Sequence, residues 1–536
     1  MITLALSATE MRCNQPGVDI NGKRIDLFPG VTLGLTNAGN QLVPLQRNLL
    51  RDDSAESYWD ITVSPGEIWR EAEDGPWSRA ALPFQLSNIL ENDSHHGIAT
   101  FLYQQNAVSA VYLQIVCETK AFVAPEHMVA RGFVKAGLTA LDDNQRLAAI
   151  NCYQQEVADQ HPLLPLDQWR NSRTERHFDE IENGFGSNGH LICGVIADDK
   201  IYCTPCKTTC GEFPYPRGLK FGVWSVTKTA FCFVACMRMS QVTGEDPRKA
   251  LIADLIAEAV DNPDWHRVTI GDCLNMATGI GTAGTAPTPP DAFADYLLDF
   301  ERANATAIGG KSYDHYFDWF LAPSQHQKNI AALACPRYSW EPGEITRYRD
   351  QDLYLAGAAL DAWLKRKQGP QARIWDLVRD EVYIPAGIHH AVNFHTIETD
   401  TTREVPLSDA GLLLSMDNVA ALGRLLHNGG KLAGQQILDA NMIEEVFNPS
   451  QPKGLATGQY TADGEIHYHG STWHLPYRSN SGNLWWIPTM RGYGGQLIQT
   501  LPNRTTVFRF GFDSYATDQR YDNLTMARLS DDIFPF

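Results

Sequence analysis

From Ser225 to Gln241 the chain carries Val226, Ala230, Phe231, Phe233, Val234 and Met237, and the run stops at Gly244. The pattern reads as a strongly apolar helix, and such a helix needs a core closed around it. The chain can supply one: of its 536 residues 43% are hydrophobic and 20% charged, the balance of a folded globular protein. That length predicts more than one domain, or a large one with an appendage. Cys232 and Cys236, spaced i, i+4 within the helix, read as small core side chains. No stretch of 18 apolar residues occurs, so no membrane-spanning helix is expected.

The texture changes along the chain. Residues 1–140 hold short strand-like runs, such as Tyr58 to Val63 and Ala110 to Val116, separated by Pro, Gly, Asn and Asp. They predict a β-rich accessory domain. Asp142 to Val157 favours helix, and the prolines of His161-Pro162-Leu163-Leu164-Pro165 predict that 141–165 is a helical linker. From 166 to 536 strands alternate with longer helices. Leu191 to Ile196 and Lys200 to Tyr202 suit a hairpin about Asp198-Asp199. Arg248 to Val260 reads as a helix, and Thr269 can cap another running to Ala277. Leu497 to Leu501 and Thr506 to Phe510 read as strands, and a helix near Asp522 to Ser530 closes the chain. Gly279 to Pro290 is expected to be a surface loop.

Net charge is −19, from 44 basic and 63 acidic side chains. No nucleic-acid partner is expected, since that would require a basic face. The first eleven residues lack the charged and long apolar regions of a complete signal peptide. Eleven cysteines are many for a cytosolic enzyme. Together with the option of a leader already removed, they favour the periplasm or secretion. Cys203, Cys206 and Cys210 form the one cysteine cluster, with only Cys193 nearby. Without a fourth ligand of matching spacing the cluster argues against zinc, leaving one disulfide or free thiols as the readings.

Ser225-Val226-Thr227-Lys228 is an S-x-x-K motif in the first turn of the apolar helix. Residues i and i+3 share a helix face, so the amine can reach the hydroxyl. A serine hydroxyl needs an adjacent base to become a nucleophile, and a lysine serves only if its surroundings disfavour the charged form. An apolar surround and the helix N-terminus would both do so. By itself the motif is weak: chance gives roughly one or two matches in a chain this long. A second copy, Ser450-Gln451-Pro452-Lys453, lies among prolines with no apolar helix behind it.

Other patterns carry less. Gly279-Ile280-Gly281-Thr282-Ala283-Gly284 fits G-x-G-x-x-G but follows a predicted helix, where a dinucleotide site needs strand, turn and helix. His95 and His96 are expected to be solvated. There is no G-x-S-x-G and no H-E-x-x-H. Trp473, Trp485 and Trp486 are read as packing residues, with an aromatic subsite as the sharper alternative.

Five pieces in order give the S-x-x-K motif a context. They are Ser225-Val226-Thr227-Lys228-Thr229; Val268-Thr269-Ile270 through Leu274 and Met276 to Thr278-Gly279; and Pro342-Gly343 with Tyr348-Arg349-Asp350-Gln351-Asp352 and Leu355-Ala356-Gly357. Gly411-Leu412 through Leu426, Asn428-Gly429-Gly430 and Gly434 follow, and then Gly492-Tyr493-Gly494-Gly495-Gln496. Together they resemble the serine β-lactamase and DD-peptidase superfamily, in its class C, esterase and nylon-oligomer-hydrolase branch, over about residues 170–536.

The resemblance implies an α+β fold in which an antiparallel sheet is flanked by helices beside a helical lobe, here preceded by the β-rich N-terminal domain. It implies a serine hydrolase with an acyl-enzyme on Ser225, Lys228 as base and Tyr348 sharing their proton. The backbone N–H groups of Ser225 and Gln496 would form the oxyanion hole. Tyr493, Gly494, Gly495, Asp350 and Trp485 are the candidate substrate-binding residues. No metal or cofactor is required.

Two residues depart from the pattern. Tyr493 stands where relatives carry Lys, His or Trp, which removes the cation that pairs a β-lactam carboxylate, although Arg491 is near enough in sequence to substitute. Asp350 stands where Asn or Ser is usual; it either holds Lys228 protonated or points away and is neutralised by Arg349. The reading favours a small carboxylic ester as substrate. The alternatives are an amidase or peptidase of nylon-oligomer or D-amino-acid type, and a catalytically silent binding protein. The N-terminal module is open to substrate binding, capping of the cleft or homodimerisation.

Overall fold

Two large sheets organise the chain, and the segment that delivers Ser225 runs between them. The computed structural model describes residues 2–20, 22–52, 55–126, 128–139, 143–184, 190–281, 314–512 and 522–536. Residues 282–284 of the G-x-G-x-x-G stretch and most of the expected loop to Pro290 lie outside them.

The N-terminal sheet has twelve strands among the described residues. Ile2–Leu6 pairs antiparallel with both Ala136–Thr139 and Val31–Ala38, so the two ends of this region lie side by side. Its long strands, Ser78–Ser87, His95–Gln104 and Val111–Glu118, are neighbours. Val111, Leu113 and Ile115 alternate along one of them and point into a core with Trp59, Leu82 and Phe28, the period of two that a sheet with one buried face requires. The helix Asp143–Asp159 follows. The proline-flanked stretch after it is not a free connection: Leu163–Pro165 pairs in parallel with Lys200–Cys203 as the edge of the second sheet.

The second sheet runs Leu163–Pro165, Lys200–Cys203, His190–Ala197, Thr506–Gly511, Gln496–Thr500, Leu484–Gly492, Thr472–Arg478, Gly464–His469 and Leu455–Thr461. Every pairing after the first is antiparallel. Asp198 and Asp199, both at positive φ (48° and 56°), make the two-residue hairpin turn, a conformation that Asp tolerates better than most side chains. Helices pack against this sheet, and the chain has the expected α+β class.

The apolar segment after Ser225 opens with a π-helical stretch, Lys228–Phe233, and continues as the α-helix Val234–Thr243. Every residue of the π stretch is buried, and Gly244 closes the helix at φ 70°. The Tyr383 hydroxyl donates to the Ala230 carbonyl at 2.6 Å. Thr269 caps Ile270–Leu274 in a capping box with Asp272, so that helix ends short of Ala277. The helix expected from Arg248 to Val260 is instead a series of short turns, Pro247–Lys249, Ile252–Leu255 and Ala257–Ala259. The Leu251 backbone bridges to Thr269 between them, and that pairing interrupts the helical ladder.

The two sheets meet along residues 220–224. One edge of this extended segment pairs with Leu412–Leu414. On the other edge, Lys220 N–H donates to Gln85 Oε1 at 3.1 Å, Gly222 N–H to Ser94 Oγ at 3.1 Å and Trp224 N–H to Asn92 Oδ1. Alternate amides of one strand thus end on side chains of the N-terminal module. A Cβ on Gly222 would lie 1.7 Å from the Asn92 carbonyl oxygen, so only glycine lets the two backbones approach this closely.

The expectation that His95 and His96 are solvated is corrected: both are fully buried. His96 Nε2 meets the Lys220 carbonyl at 3.0 Å, and burial pushes its pKa down to about 4. His95 lies between Asp93 at 2.6 Å and Glu118 at 2.9 Å. Burial opposes its charge, yet the two carboxylates prevail and raise its pKa to about 10. A polar pair in a β-rich module looks solvated only while the surface that covers it is unknown.

Replacing His95 with Gln should therefore leave two buried carboxylates without a cation, at a cost of about 3–5 kcal/mol in urea denaturation. Because the folded pKa of about 10 lies above the unfolded 6.5, this contribution is complete below about pH 6.5. The advantage of the parent over His95→Gln should shrink as pH rises toward 10.

Candidate active site

Ser225 is half-buried at the head of its helix. The residue before it is strained: Trp224 sits at φ 50°, a region that costs a bulky side chain roughly 1–3 kcal/mol. The surroundings hold it there. Its N–H goes to Asn92, its indole N–H donates to the Lys120 carbonyl at 3.0 Å, and its ring stacks on Phe320 at 6.4 Å and meets Tyr493 edge-on at 5.4 Å.

Lys228 is buried, with Nζ 2.6 Å from Ser225 Oγ, 2.8 Å from the Asp409 carbonyl oxygen and 2.8 Å from Asp350 Oδ1. The carbonyl and the carboxylate can only accept. Two N–H bonds therefore serve them whether the amine is charged or neutral, and the third position faces Ser225. As an ammonium, Lys228 donates to the serine; as a neutral amine, it offers its lone pair to the serine proton. The arrangement suits either protonation state without any movement.

Of the two placements left open by the sequence, Asp350 takes the one beside Lys228. It is the first residue of the helix Asp350–Gln368, where the helix field favours a carboxylate, and its Oδ2 accepts from the Tyr316 hydroxyl at 2.7 Å. Arg349 turns the other way, onto buried Asp352 and the Gly281 carbonyl. Burial pushes the Asp409 carboxyl up to about 6, against the pull of Lys228 and Lys328.

Tyr348 is half-buried, its ring centroid 5.2 Å from Lys228 Nζ. It stacks on Trp473 at 5.5 Å and meets Tyr468 edge-on at 6.3 Å. Arg491 lies over the Trp473 ring at 4.7 Å. Its guanidinium belongs to this stack.

The strand Leu484–Gly492 ends against the serine segment. A Cβ on Gly492 would meet the Val223 carbonyl oxygen at 2.2 Å. Gly494 and Gly495 follow at φ 75° and 88°, which glycine adopts freely. Gln496 is buried, and its side-chain amide donates to the Gly511 carbonyl at 2.7 Å while its oxygen accepts the Gly511 N–H at 3.1 Å. These bonds fix the start of Gln496–Thr500 beside Thr506–Gly511.

The structure thus brings Ser225, Lys228, Tyr348 and Asp350 together and sets the Tyr493–Gln496 turn beside the serine segment. It does not bring Trp485 there. Trp485 lies seven residues back along the strand from Gly492, about 24 Å at the usual rise, next to Phe536 and a cavity lined by Phe447, Pro449 and Pro502. Its closeness in sequence to the third motif is spent along an extended strand. Among the other tryptophans, Trp473 supports Tyr348.

Asp409 and Tyr316 were not singled out from the sequence. They come from separate elements, and no spacing links them to Ser225. All eleven cysteines are free thiols, so the alternative of one disulfide is not realised. Among the described residues no group of three His, Cys, Asp or Glu could hold a metal ion, and no helix is long and apolar enough to cross a membrane.

No family profile and no curated protein matches the chain. Solved structures do. A protein from Bacillus anthracis assigned as a 6-aminohexanoate-dimer hydrolase is 17% identical, over 70% of this chain and 86% of its own, with TM-score 0.49. A D-stereospecific amidohydrolase from Streptomyces is 14% identical, over 68% and 97%, with TM-score 0.44. A family VIII carboxylesterase is 14% identical, over 70% and 98%, with TM-score 0.44.

Asp350→Asn should lower stability by about 3–5 kcal/mol, because it leaves the buried Lys228 amine without its opposite charge. Urea denaturation of the two proteins checks this.

Proposed function

We propose that the chain is a serine hydrolase that cleaves a carboxylic ester through an acyl-enzyme on Ser225. The observation that carries the proposal is the 2.6 Å separation of Lys228 Nζ and Ser225 Oγ, on a half-buried serine. Neutral Lys228 takes the serine proton as Oγ bonds to the substrate carbonyl carbon. The N–H groups of Ser225 and Gln496 receive the oxyanion. The tetrahedral adduct collapses as the carbon–oxygen bond to the alcohol breaks, and the alkoxide leaves with the proton from Lys228, relayed by the Tyr348 hydroxyl. Water then attacks the acyl-enzyme, giving a proton to the Lys228–Tyr348 pair, and Ser225 departs as that proton returns to it. The acid is released and the residues regain their starting state.

Esters are favoured over amides because an alkoxide asks less of the proton relay than an amide nitrogen does. A second reading, a catalytically silent binding protein, has its own support: Asp350, which stands where the resembling motif has Asn or Ser, pairs with Lys228 at 2.8 Å.

Short p-nitrophenyl esters, amide analogues and a fluorophosphonate probe decide among these. The intact chain should be labelled and should release nitrophenol. Ser225→Ala and Lys228→Met should each lose about 10³-fold or more in kcat/KM, as removal of a nucleophile or its base does. Labelling that survives Ser225→Ala rejects the nucleophile. Labelling with amide but no ester turnover moves the reading to an amidase, and the absence of any reaction supports the silent protein.

A further inference from the structure

Between the two modules runs a cavity of about 490 Å³ that none of Ser225, Lys228, Tyr348, Asp350 or the 493–496 turn lines. Arg47 lines it from the N-terminal module, Glu156 and Val157 from the helix Asp143–Asp159, and Arg217, Lys220 and Asp417 from the region that carries Ser225. Exposed Val157 and Pro214 share its wall with buried Arg47 and Lys220, so it runs from the surface inward. Its size is that of a small-molecule site, roughly 300–1,000 Å³.

The charged pairs on the wall are complete except at the buried end. Arg217 Nη1 donates to both Asp417 carboxylate oxygens, at 2.8 and 3.0 Å, and His389 meets Asp159 at 2.7 Å. Arg47 spends both terminal nitrogens on Glu156. Its Nε is buried and has no hydrogen-bond partner among the described residues. Lys220 is 4% exposed, and its amine makes one hydrogen bond among the described residues, to the Arg47 carbonyl at 2.9 Å. Two cations thus share one carboxylate, Glu156, which Arg47 already holds. Burial, then the Arg47 charge, pull the Lys220 pKa down to about 7, and Glu156 opposes them. A buried charge without an opposite partner is costly, and an anion in the cavity would supply that partner. Val157, Leu163, Pro65 and Pro216 give the same cavity an apolar side, which suits a hydrocarbon chain and has nothing to offer an inorganic anion.

We propose that this cavity binds a small organic carboxylate, with its charge toward Lys220 and Arg47 and its chain against Val157 and Leu163. The site is separate from Ser225 and does not depend on the hydrolase reading. Lys220 also begins the segment 220–224, where its N–H donates to Gln85 and its carbonyl meets His96. The occupant would therefore pair with the residue that fastens the strand leading into Ser225 to the N-terminal module.

Isothermal titration calorimetry of the full chain, at about pH 6 where the Lys220 ammonium predominates, compares butyrate, its uncharged counterpart butyramide and inorganic phosphate at constant ionic strength. Butyrate should bind, and the other two should bind about tenfold more weakly or not at all. Lys220→Met should weaken butyrate about tenfold or more, whereas Ser225→Ala should leave it unchanged. If Lys220→Met does not fold, reductive methylation of the intact chain, read by peptide mass spectrometry, decides instead. Butyrate should then slow modification of Lys220 about fivefold, and butyramide should not; equal rates overturn the site. Failure of butyrate to bind, equal binding of butyramide or phosphate, or unchanged affinity in folded Lys220→Met would also overturn it. Loss of binding in Ser225→Ala would put the carboxylate at the serine and overturn it too. A chain that binds butyrate through Lys220 but never reacts at Ser225 keeps this site and loses the hydrolase reading alone.

Discussion

The edge of residues 220–224 is the constraint on which the site depends. An extended segment that pairs on one side only leaves every second N–H without a partner, and a buried amide in that state costs about 1–3 kcal/mol. Here Gln85, Ser94 and Asn92 take the amides of Lys220, Gly222 and Trp224 in turn. The N-terminal module therefore completes the strand that leads into Ser225. It also supplies the contacts that keep Trp224 in its strained conformation, one residue before Ser225. Removing the module would expose that edge and free Trp224 together.

Charge is handled by the same logic of complete partnering. Lys228 has three positions for hydrogen bonds, and two face groups that only accept, so its variable position is the one toward Ser225. Asp350 is supported by its helix N-terminus and by Tyr316, and the ion pair it makes is short because Arg349 is occupied elsewhere. Within the N-terminal module Asp93, His95 and Glu118 form a buried set that is satisfied only as a whole. Both arrangements bury charge, and in both each charged group has an opposite one within hydrogen-bond reach, as burial demands.

Local signals were legible where the physics is local. The Asp198-Asp199 turn, the Gly244 stop, the Thr269 cap and the alternation of the N-terminal strands each depend on residues within a few positions of one another. The helix expected at 248–260 was lost to a bridge between Leu251 and Thr269, a pairing that no helical periodicity anticipates. The exposure expected of His96 failed for the same reason: Lys220, whose carbonyl it meets, lies more than a hundred residues away; His95 is buried against Asp93, Glu118 and Trp59 of its own region. Trp485 misled because distance along an extended strand grows about 3.4 Å per residue.

By itself the sequence determined that Ser225 and Lys228 share one face of a buried helix, because i, i+3 spacing is a property of the helix alone. The resemblance of its motifs, in their order, implied which tyrosine and which glycine turn to expect beside them. Only the tertiary structure decided that Asp350 faces Lys228 while Arg349 turns away, and that Asp409 lends its carbonyl. Those contacts join elements whose separation along the chain carries no information about their separation in space; packing against a common core sets it.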